Sequence, residues 1–223
     1  GICPLAMDHY SLAAASAGTL GCWAMFTVIR GLWIRATPGR RWQGLTRTPR
    51  AYWGMTLAHS GIGIFVIGVA FTTIYSTEKD LSMAPGERFS VGRYEYQFDG
   101  VQNLSGPNYV AQTGTVIISR DGRLIARLSP EKRRYLVQQM PMTEAGIQAG
   151  FWGDFYASLG ERLDDRGRWA VRVQYKAFIR WIWLGALLMA AGGLLAASDR
   201  RYRTVARAPV REPAAQTTPI LSG

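Results

Sequence analysis

The stretch MTLAHSGIG, residues 55–63, places a histidine inside a run of residues that is otherwise apolar as far as Ile74. An imidazole ring can carry a proton or bind a metal ion, and it is costly to place in hydrocarbon without a partner. His59 is therefore the first candidate for chemistry in this chain, as a metal ligand or as a proton carrier.

Small residues surround this histidine, and they favour two interpretations equally. Gly63 lies one helical turn beyond His59, and Gly54, Ala58 and Gly61 leave little side-chain bulk on the adjoining face of a helix. Small residues let a neighbouring helix approach closely, so plain packing explains them. They also leave room for a flat macrocycle. Since neutral histidine is a standard axial ligand of haem iron, we expect His59, with Gly63 beside it, to contact a haem.

Three long apolar segments must position this histidine. Residues 11–34, 54–75 and 177–197 each contain about 20 mainly apolar residues, the length that crosses a bilayer as a helix. The fold class predicted is therefore an α-helical membrane protein with three transmembrane spans. Soluble enzymes and nucleic-acid-binding proteins are disfavoured, although the net charge is +11.

The positive charge is concentrated beside the spans. Residues 30–50 contain six arginines and no acid, and residues 199–212 contain five arginines and two acids. The positive-inside rule assigns the basic loop 35–53 and the tail 198–223, predicted to be disordered, to the cytoplasm. The N-terminal stub 1–10 and the segment 76–176 then lie on the outer side of the membrane, with membrane lipids as neighbours.

The outer segment 76–176 predicts a compact β-rich domain inserted between two spans. RFSVGRYEYQF alternates, Asp121-Gly122 joins two short runs as a hairpin, and WAVRVQYK predicts a last strand that leads into the third span. FWGDFYASLGE predicts a short helix, and the charged residues 131–134 predict a strand edge. This segment has no histidine or cysteine, and we predict no catalytic residue in the chain.

The two cysteines predict neither a disulfide nor a covalent haem site. Cys22 is expected to be a small buried hydrophobe, and Cys3 lies too far away for a bridge. A low-spin haem needs a second axial ligand, and His9 is the only other histidine. Helix rise and bilayer thickness separate the two rings by at least ~14 Å, so the second ligand is expected outside this chain.

Four blocks of the sequence closely resemble the C-terminal portion of the CcmF family of cytochrome c maturation haem lyase subunits, over residues 30–203. They read RAYWGMTLAHSGIGIFVIGVAFTTIYSTEKDLSMAPGE, EKRRYLVQQMPMTEAGI, DFYASLGE and WAVRVQYKAFIRWIWLGALLMAAGGLLAASDRRYR. The resemblance implies that His59 is one of two membrane histidines that ligate a stable b-type haem. The other histidine and the family's tryptophan-rich outer motif belong to a larger N-terminal part that these residues do not include.

The resemblance also implies a location, partners and an activity. The location is the bacterial inner membrane, with the segment 76–176 in the periplasm. The partners are the N-terminal part of CcmF, CcmH-type and CcmI-type subunits, the haem chaperone CcmE and apocytochrome c. The activity is haem attachment by a holocytochrome c synthase complex, of which this chain is one piece, a split subunit or a fragment, inactive alone. Two alternatives remain open. The chain is a membrane-anchored interaction module in which His59 only packs against other residues, or it is part of a transporter in which His59 relays protons.

Overall fold

The computed structural model describes residues 11–36, 41–137 and 140–199, with only the backbone described at Arg41 and Trp42. Four helices lie in this part of the chain: α1 (Leu12–Arg35), α2 (Arg41–Thr46), α3 (Arg50–Tyr75) and α4 (Ile179–Ala197). α1, α3 and α4 are long and apolar enough to cross a membrane, as the three segments predicted. α3 begins at Arg50, before the predicted start at residue 54, and α2 lies inside the predicted basic loop 35–53. His9 and residues 200–223 of the predicted tail lie outside the described residues.

Glycines bring α3 and α4 into backbone contact. Gly54, Gly61 and Gly68 recur every seventh residue along one face of α3 and are buried. A Cβ on Gly61 would lie 2.7 Å from the carbonyl oxygen of Gly185, and a Cβ on Gly192 would lie 2.6 Å from that of Gly54. Real Cβ atoms do not approach so closely, so the spacing of this helix pair requires glycine at these positions.

A second face of α3 packs against α1. A Cβ on Gly21 of α1 would lie 2.5 Å from the Ile67 side chain, and Gly18 faces the ring of Phe71. Nearby, the guanidinium of Arg35 stacks on the ring of Tyr52, 3.7 Å from its centroid, which joins the end of α1 to the start of α3. α3 is therefore the central helix of the three.

The start of α3 is capped by a residue that follows α4. The carboxylate of Asp199 is 7% exposed and accepts a hydrogen bond from the backbone N–H of Ala51 at 2.9 Å. A carboxylate at a helix N-terminus satisfies an otherwise unpaired N–H and interacts favourably with the helix dipole. Ser198 and Asp199, the first residues of the predicted tail, are thus held against the helices.

Residues between α3 and α4 form a β-sandwich of two antiparallel sheets. One sheet has the order β1-β10-β9-β8, and the other has the order β2-β3-β4-β6-β7 with β5 paired to β4. The strands are β1 (Thr77–Met83), β2 (Arg88–Val91), β3 (Tyr94–Ser105), β4 (Tyr109–Arg120), β5 (Arg123–Leu128), β6 (Glu131–Tyr135), β7 (Pro141–Glu144), β8 (Gly146–Gln148), β9 (Gly153–Arg162) and β10 (Trp169–Ala177).

The sandwich core comes from alternate residues of both sheets, as expected where each strand turns one face inward. The most buried side chains are Met83, Tyr96, Phe98, Val116, Ile118, Leu128, Leu159, Val171 and Val173. The predicted hairpin at Asp121-Gly122 is confirmed, with φ of 51° and 75° at the two turn residues. Both positions need positive φ, which an Asp-Gly pair allows.

Three local predictions are wrong. The block FWGDFYASLGE forms two loop residues and then most of β9. Phe155, Ala157 and Leu159 of β9 face the core, so burial alternates along the strand, and β9 pairs with β8 on one side and β10 on the other. The charged residues 131–134 lie in β6, between β4 and β7 rather than at an edge. Cys22 is exposed, because the described residues cover only one side of α1.

The sandwich continues directly from the helices. β1 follows α3 after one residue, β10 precedes α4, and these two strands pair with Thr77 opposite Tyr175. The hydroxyl of Thr72 donates to the carbonyl of Ala177 at 2.6 Å. Phe178, at φ 54°, makes the bend between β10 and α4. The paired strands β1 and β10, together with the packed helices α3 and α4, therefore carry the whole domain.

Neighbouring glycines of α4 offer a matched test of the helix contact. Gly192→Ala should destabilise the protein by about 1–3 kcal/mol, because its Cβ would meet the backbone of α3. Gly193→Ala should leave stability unchanged or raise it by up to about 1 kcal/mol, since no other described element lies within 4 Å of its Cβ and alanine favours a helix. Thermal unfolding in detergent measures both; equal midpoints for the two variants would contradict the assigned contact.

Candidate functional site

His59 lies in the first half of α3 with an exposed side chain. Its Nδ1 is 2.8 Å from the carbonyl oxygen of Met55, one turn earlier. Because a carbonyl oxygen only accepts hydrogen bonds, Nδ1 carries the proton in this contact and Nε2 keeps its lone pair. A backbone carbonyl that fixes Nδ1–H is a common arrangement around a histidine that binds metal through Nε2.

The ring projects from the third face of α3, which neither α1 nor α4 covers. Its exposed side chains recur at helical spacing and are mostly apolar; they are Met55, His59, Ile62, Val69 and Thr73. Met55 and Ile62 are each 44% exposed. An apolar face suits lipid, but an ionisable ring in a membrane span is almost always turned toward protein or a bound group. His59 therefore marks this face as one that needs a further partner.

Gly63 is turned away from this face. It is buried against α1, where a Cβ would lie 3.1 Å from the carbonyl oxygen of Gly21 and 3.3 Å from the side chain of Met25. Gly54 and Gly61 likewise face α4, so the small residues around His59 serve helix packing. The space beside Gly63 is taken by α1 in this arrangement, and a contact between Gly63 and a cofactor stays a prediction.

The donor chemistry at His59 fits an axial haem ligand. A neutral imidazole with a free Nε2, set among apolar side chains, is the kind of ligand that haem iron takes. Within residues 11–36, 41–137 and 140–199, no group of three or more histidine, cysteine or acidic side chains could hold a metal ion. Of the two histidines in the sequence, His59 lies within the described residues and His9 lies outside them.

Many charged groups of the sandwich are paired with one another. Lys132 bonds Glu161 of the facing sheet, and the Nε of Arg133 donates to Glu131 at 2.7 Å. The Arg133 guanidinium also lies over the ring of Tyr109, 4.7 Å from its centroid. Arg172 binds Asp80 across the β1–β10 pair and holds the pKa of that carboxyl below its usual value through hydrogen bonding. These contacts stabilise strands and supply no acid–base pair for catalysis.

A junction between the sandwich and α4 was not predicted from the sequence. The carboxylate of Asp154 is 4% exposed and accepts from the Arg180 Nε at 2.9 Å and from the Gly150 N–H at 3.0 Å. Trp181 of α4 donates from its indole to the carbonyl of Phe151 at 3.1 Å. Burial is the main cause that raises the pKa of Tyr175 at this junction, and the neighbouring Tyr94 raises it further. In the sequence, the adjacent aromatic residues at 151 and 152 were the feature that could have indicated this junction.

Known proteins resemble this chain over most of its length. The family model described as "CcmF C-terminal beta-sandwich" matches residues 74–177, the segment that forms the sandwich. A "Cytochrome c-type biogenesis protein CcmF" of Pseudomonas aeruginosa is 52% identical over 169 residues, covering 76% of this chain and 26% of that protein. The protein of the same name from Pseudomonas fluorescens is 44% identical over 208 residues, covering 93% and 31%, and that from Escherichia coli is 41% identical over 184 residues, covering 82% and 27%.

A solved structure shares the fold. The structure titled "Cytochrome c Heme Lyase CcmF" superposes with a TM-score of 0.64 at 18% sequence identity, covering 88% of this chain and 32% of that chain. The chain thus spans about a quarter to a third of the length of these relatives. The relationship predicted from the four sequence blocks is confirmed: the chain corresponds to the C-terminal portion of the CcmF family.

Proposed function

We propose that this chain is the haem-binding C-terminal part of a cytochrome c maturation haem lyase. One observation carries the proposal: the His59 ring is fixed through Nδ1 by the Met55 carbonyl, with Nε2 on the uncovered face of α3. The relatives' names, which refer to cytochrome c biogenesis and to a haem lyase, support the same role. A haem b bound there supplies one-electron redox chemistry, suited to keeping the iron of a transferred haem reduced.

The chain's own residues hold and shield this site. His59 presents Nε2, and the Met55 carbonyl accepts the hydrogen bond from Nδ1–H, which fixes the orientation of the ring. Ile62 and Val69 keep water from the same face. The second axial ligand and the cover for this face come from the N-terminal part of the family's proteins. No catalytic residue is assigned here, and the chain alone is inactive as a lyase.

The sandwich belongs on the periplasmic side in this proposal. The basic residues 30–50 and the arginines beyond α4 remain in the cytoplasm, so α3 and α4 carry residues 77–177 outward. There the domain helps to hold apocytochrome c or a partner subunit while haem, delivered by a CcmE-type chaperone, is attached. CcmH-type and CcmI-type subunits complete the inner-membrane assembly.

The alternative role, an interaction module in which His59 only packs, receives less support. In the described part of the chain the ring contacts the carbonyl of its own helix, while α1 and α4 occupy other faces of α3. A packing role would therefore also need a partner outside these residues.

Replacing the histidine tests the ligand directly. In the protein purified with its membrane partners, His59→Gly should remove or shift the reduced b-type absorption bands, because one axial bond is lost. Added imidazole should restore them by occupying the vacated position. The matched control is Met55→Leu on the same face, which keeps the backbone carbonyl and should keep the spectrum. Unchanged bands and haem content in His59→Gly would refute the ligand and favour the packing role.

The isolated chain should bind haem poorly. With one axial histidine in the described helices, the 223-residue chain in detergent should retain well under one haem per chain, measured by pyridine haemochrome. Stoichiometric haem with a bis-histidine spectrum in the lone chain would show that His9 reaches the iron, and that the proposed arrangement of the spans is wrong.

Cysteine labelling tests the proposed orientation. After Cys3 and Cys22 are replaced by serine, Leu163→Cys should react with a membrane-impermeant maleimide in intact spheroplasts, because Leu163 is exposed on the sandwich. Gln43→Cys in α2 should react only after lysis, since the positive-inside rule places that loop in the cytoplasm. The reverse pattern would overturn the orientation while leaving the fold intact.

A further inference from the structure

The register of the strands places one end of the sandwich beside α3 and α4. Phe155 and Tyr175 lie at the helix-proximal ends of β9 and β10, and Tyr94 packs on both rings, with centroids 4.8 and 5.3 Å away. Tyr94 begins β3, so the β2–β3 turn is at this end. Glu95 pairs with Ser119, so the β4–β5 turn is there too. We name these two turns and the loop 149–152 the helix-proximal end.

Two large aromatic side chains are exposed at this end. Phe151 is 64% exposed and Trp152 is 59% exposed, although both contact the ring of Trp181 in the first turn of α4. The backbone around them is fixed, because Phe178 N–H donates to the Trp152 carbonyl at 2.9 Å and Trp181 donates to that of Phe151. The loop is therefore held at the height of the outer end of a membrane span.

Arginines lie at the same end of the sandwich as these rings. Arg120 and Arg123 flank the β4–β5 turn, Arg93 lies in the β2–β3 turn, and Arg180 is beside the loop. Asp154 is buried against Arg180, and Asp121 pairs with Arg120, whose side chain stays 42% exposed in that pair. Exposed aromatic rings with arginines at one level are the composition that binds the interface of a bilayer.

We propose that the helix-proximal end is a membrane-docking surface for anionic lipid. Phe151 and Trp152 insert among the headgroups beside Trp181, and Arg120 and Arg123 of the β4–β5 turn bind lipid phosphates. The sandwich is thereby held against the bilayer at the tilt that its junction with α4 sets. The inference rests on α4 crossing a membrane and is independent of haem binding at His59.

A spin label at the tip of the loop tests the insertion. In the cysteine-free protein with its membrane partners, Trp152→Cys is labelled in nanodiscs of phosphatidylcholine with one quarter phosphatidylglycerol. Leu163→Cys, 53% exposed at the opposite end of β9, is the matched control. Relative to the control, the label at 152 should gain collisions with oxygen and lose collisions with a water-soluble nickel chelate by at least about fivefold, as expected below the headgroup surface.

Two results would overturn the insertion. Nickel access equal to that at residue 163 means that the loop stays in water. Protection from both nickel and oxygen means that protein, rather than lipid, covers the loop. Phe151→Cys serves as a second label position on the same loop, so that a poorly folded Trp152→Cys protein does not decide the outcome.

The charge is tested separately. Removing phosphatidylglycerol should lower the oxygen-to-nickel ratio at residue 152, and the double variant Arg120→Glu, Arg123→Glu should abolish that dependence on lipid charge. A ratio that does not change with lipid charge in the unaltered protein would overturn the role of the arginines.

Discussion

The close contact between α3 and α4 determines most of this structure. Glycines at seven-residue spacing on α3 meet Gly185 and Gly192 on α4, with the helix backbones so near that a Cβ would not fit between them. Because apolar side chains gain little by leaving lipid, such close van der Waals packing is what holds helices together in a membrane. α3 gives a second face to α1. The third face is left for His59, so packing decides where the histidine points.

The same helix pair also positions the sandwich. α3 and α4 continue into β1 and β10, which pair from Thr77 opposite Tyr175 onward. The junction is closed by the buried Asp154–Arg180 pair and by the contacts of Trp181. A buried carboxylate is tolerated because two donors satisfy it. The orientation of the sandwich relative to α3 and α4 is thus fixed by hydrogen bonds and by the paired strands.

The functional proposals separate the two parts of the chain. The helical part carries His59, the proposed haem ligand, whereas the sandwich contains no histidine or cysteine and pairs many of its charges internally. The chain spans about a quarter to a third of its relatives, so the proposed site at His59 leaves its second ligand to the rest of such a protein. In the proposals, the sandwich contacts the membrane at its helix-proximal end and protein partners elsewhere.

Local patterns in the sequence were sufficient for the elements that local chemistry controls. Continuous apolar length predicted three spans, and Asp121-Gly122 predicted its hairpin, because only a few residue types accept positive φ. β9 was mistaken for a helix, although Phe155, Ala157 and Leu159 alternate. Its strand form is decided by pairing with β8 and β10 and by packing against the facing sheet, where residues such as Tyr94 are distant in sequence. Exposure of Cys22 depended in the same way on which faces other helices cover.

At the candidate site, the sequence by itself determined that a histidine lies in an apolar helix and that small residues surround it. It did not determine which small residues face which neighbour. The tertiary structure assigned Gly61 to α4, Gly63 to α1 and His59 to the open face. The physical reason is that composition sets what a face can contact, whereas the rotation of one helix against another is set by side chains from both.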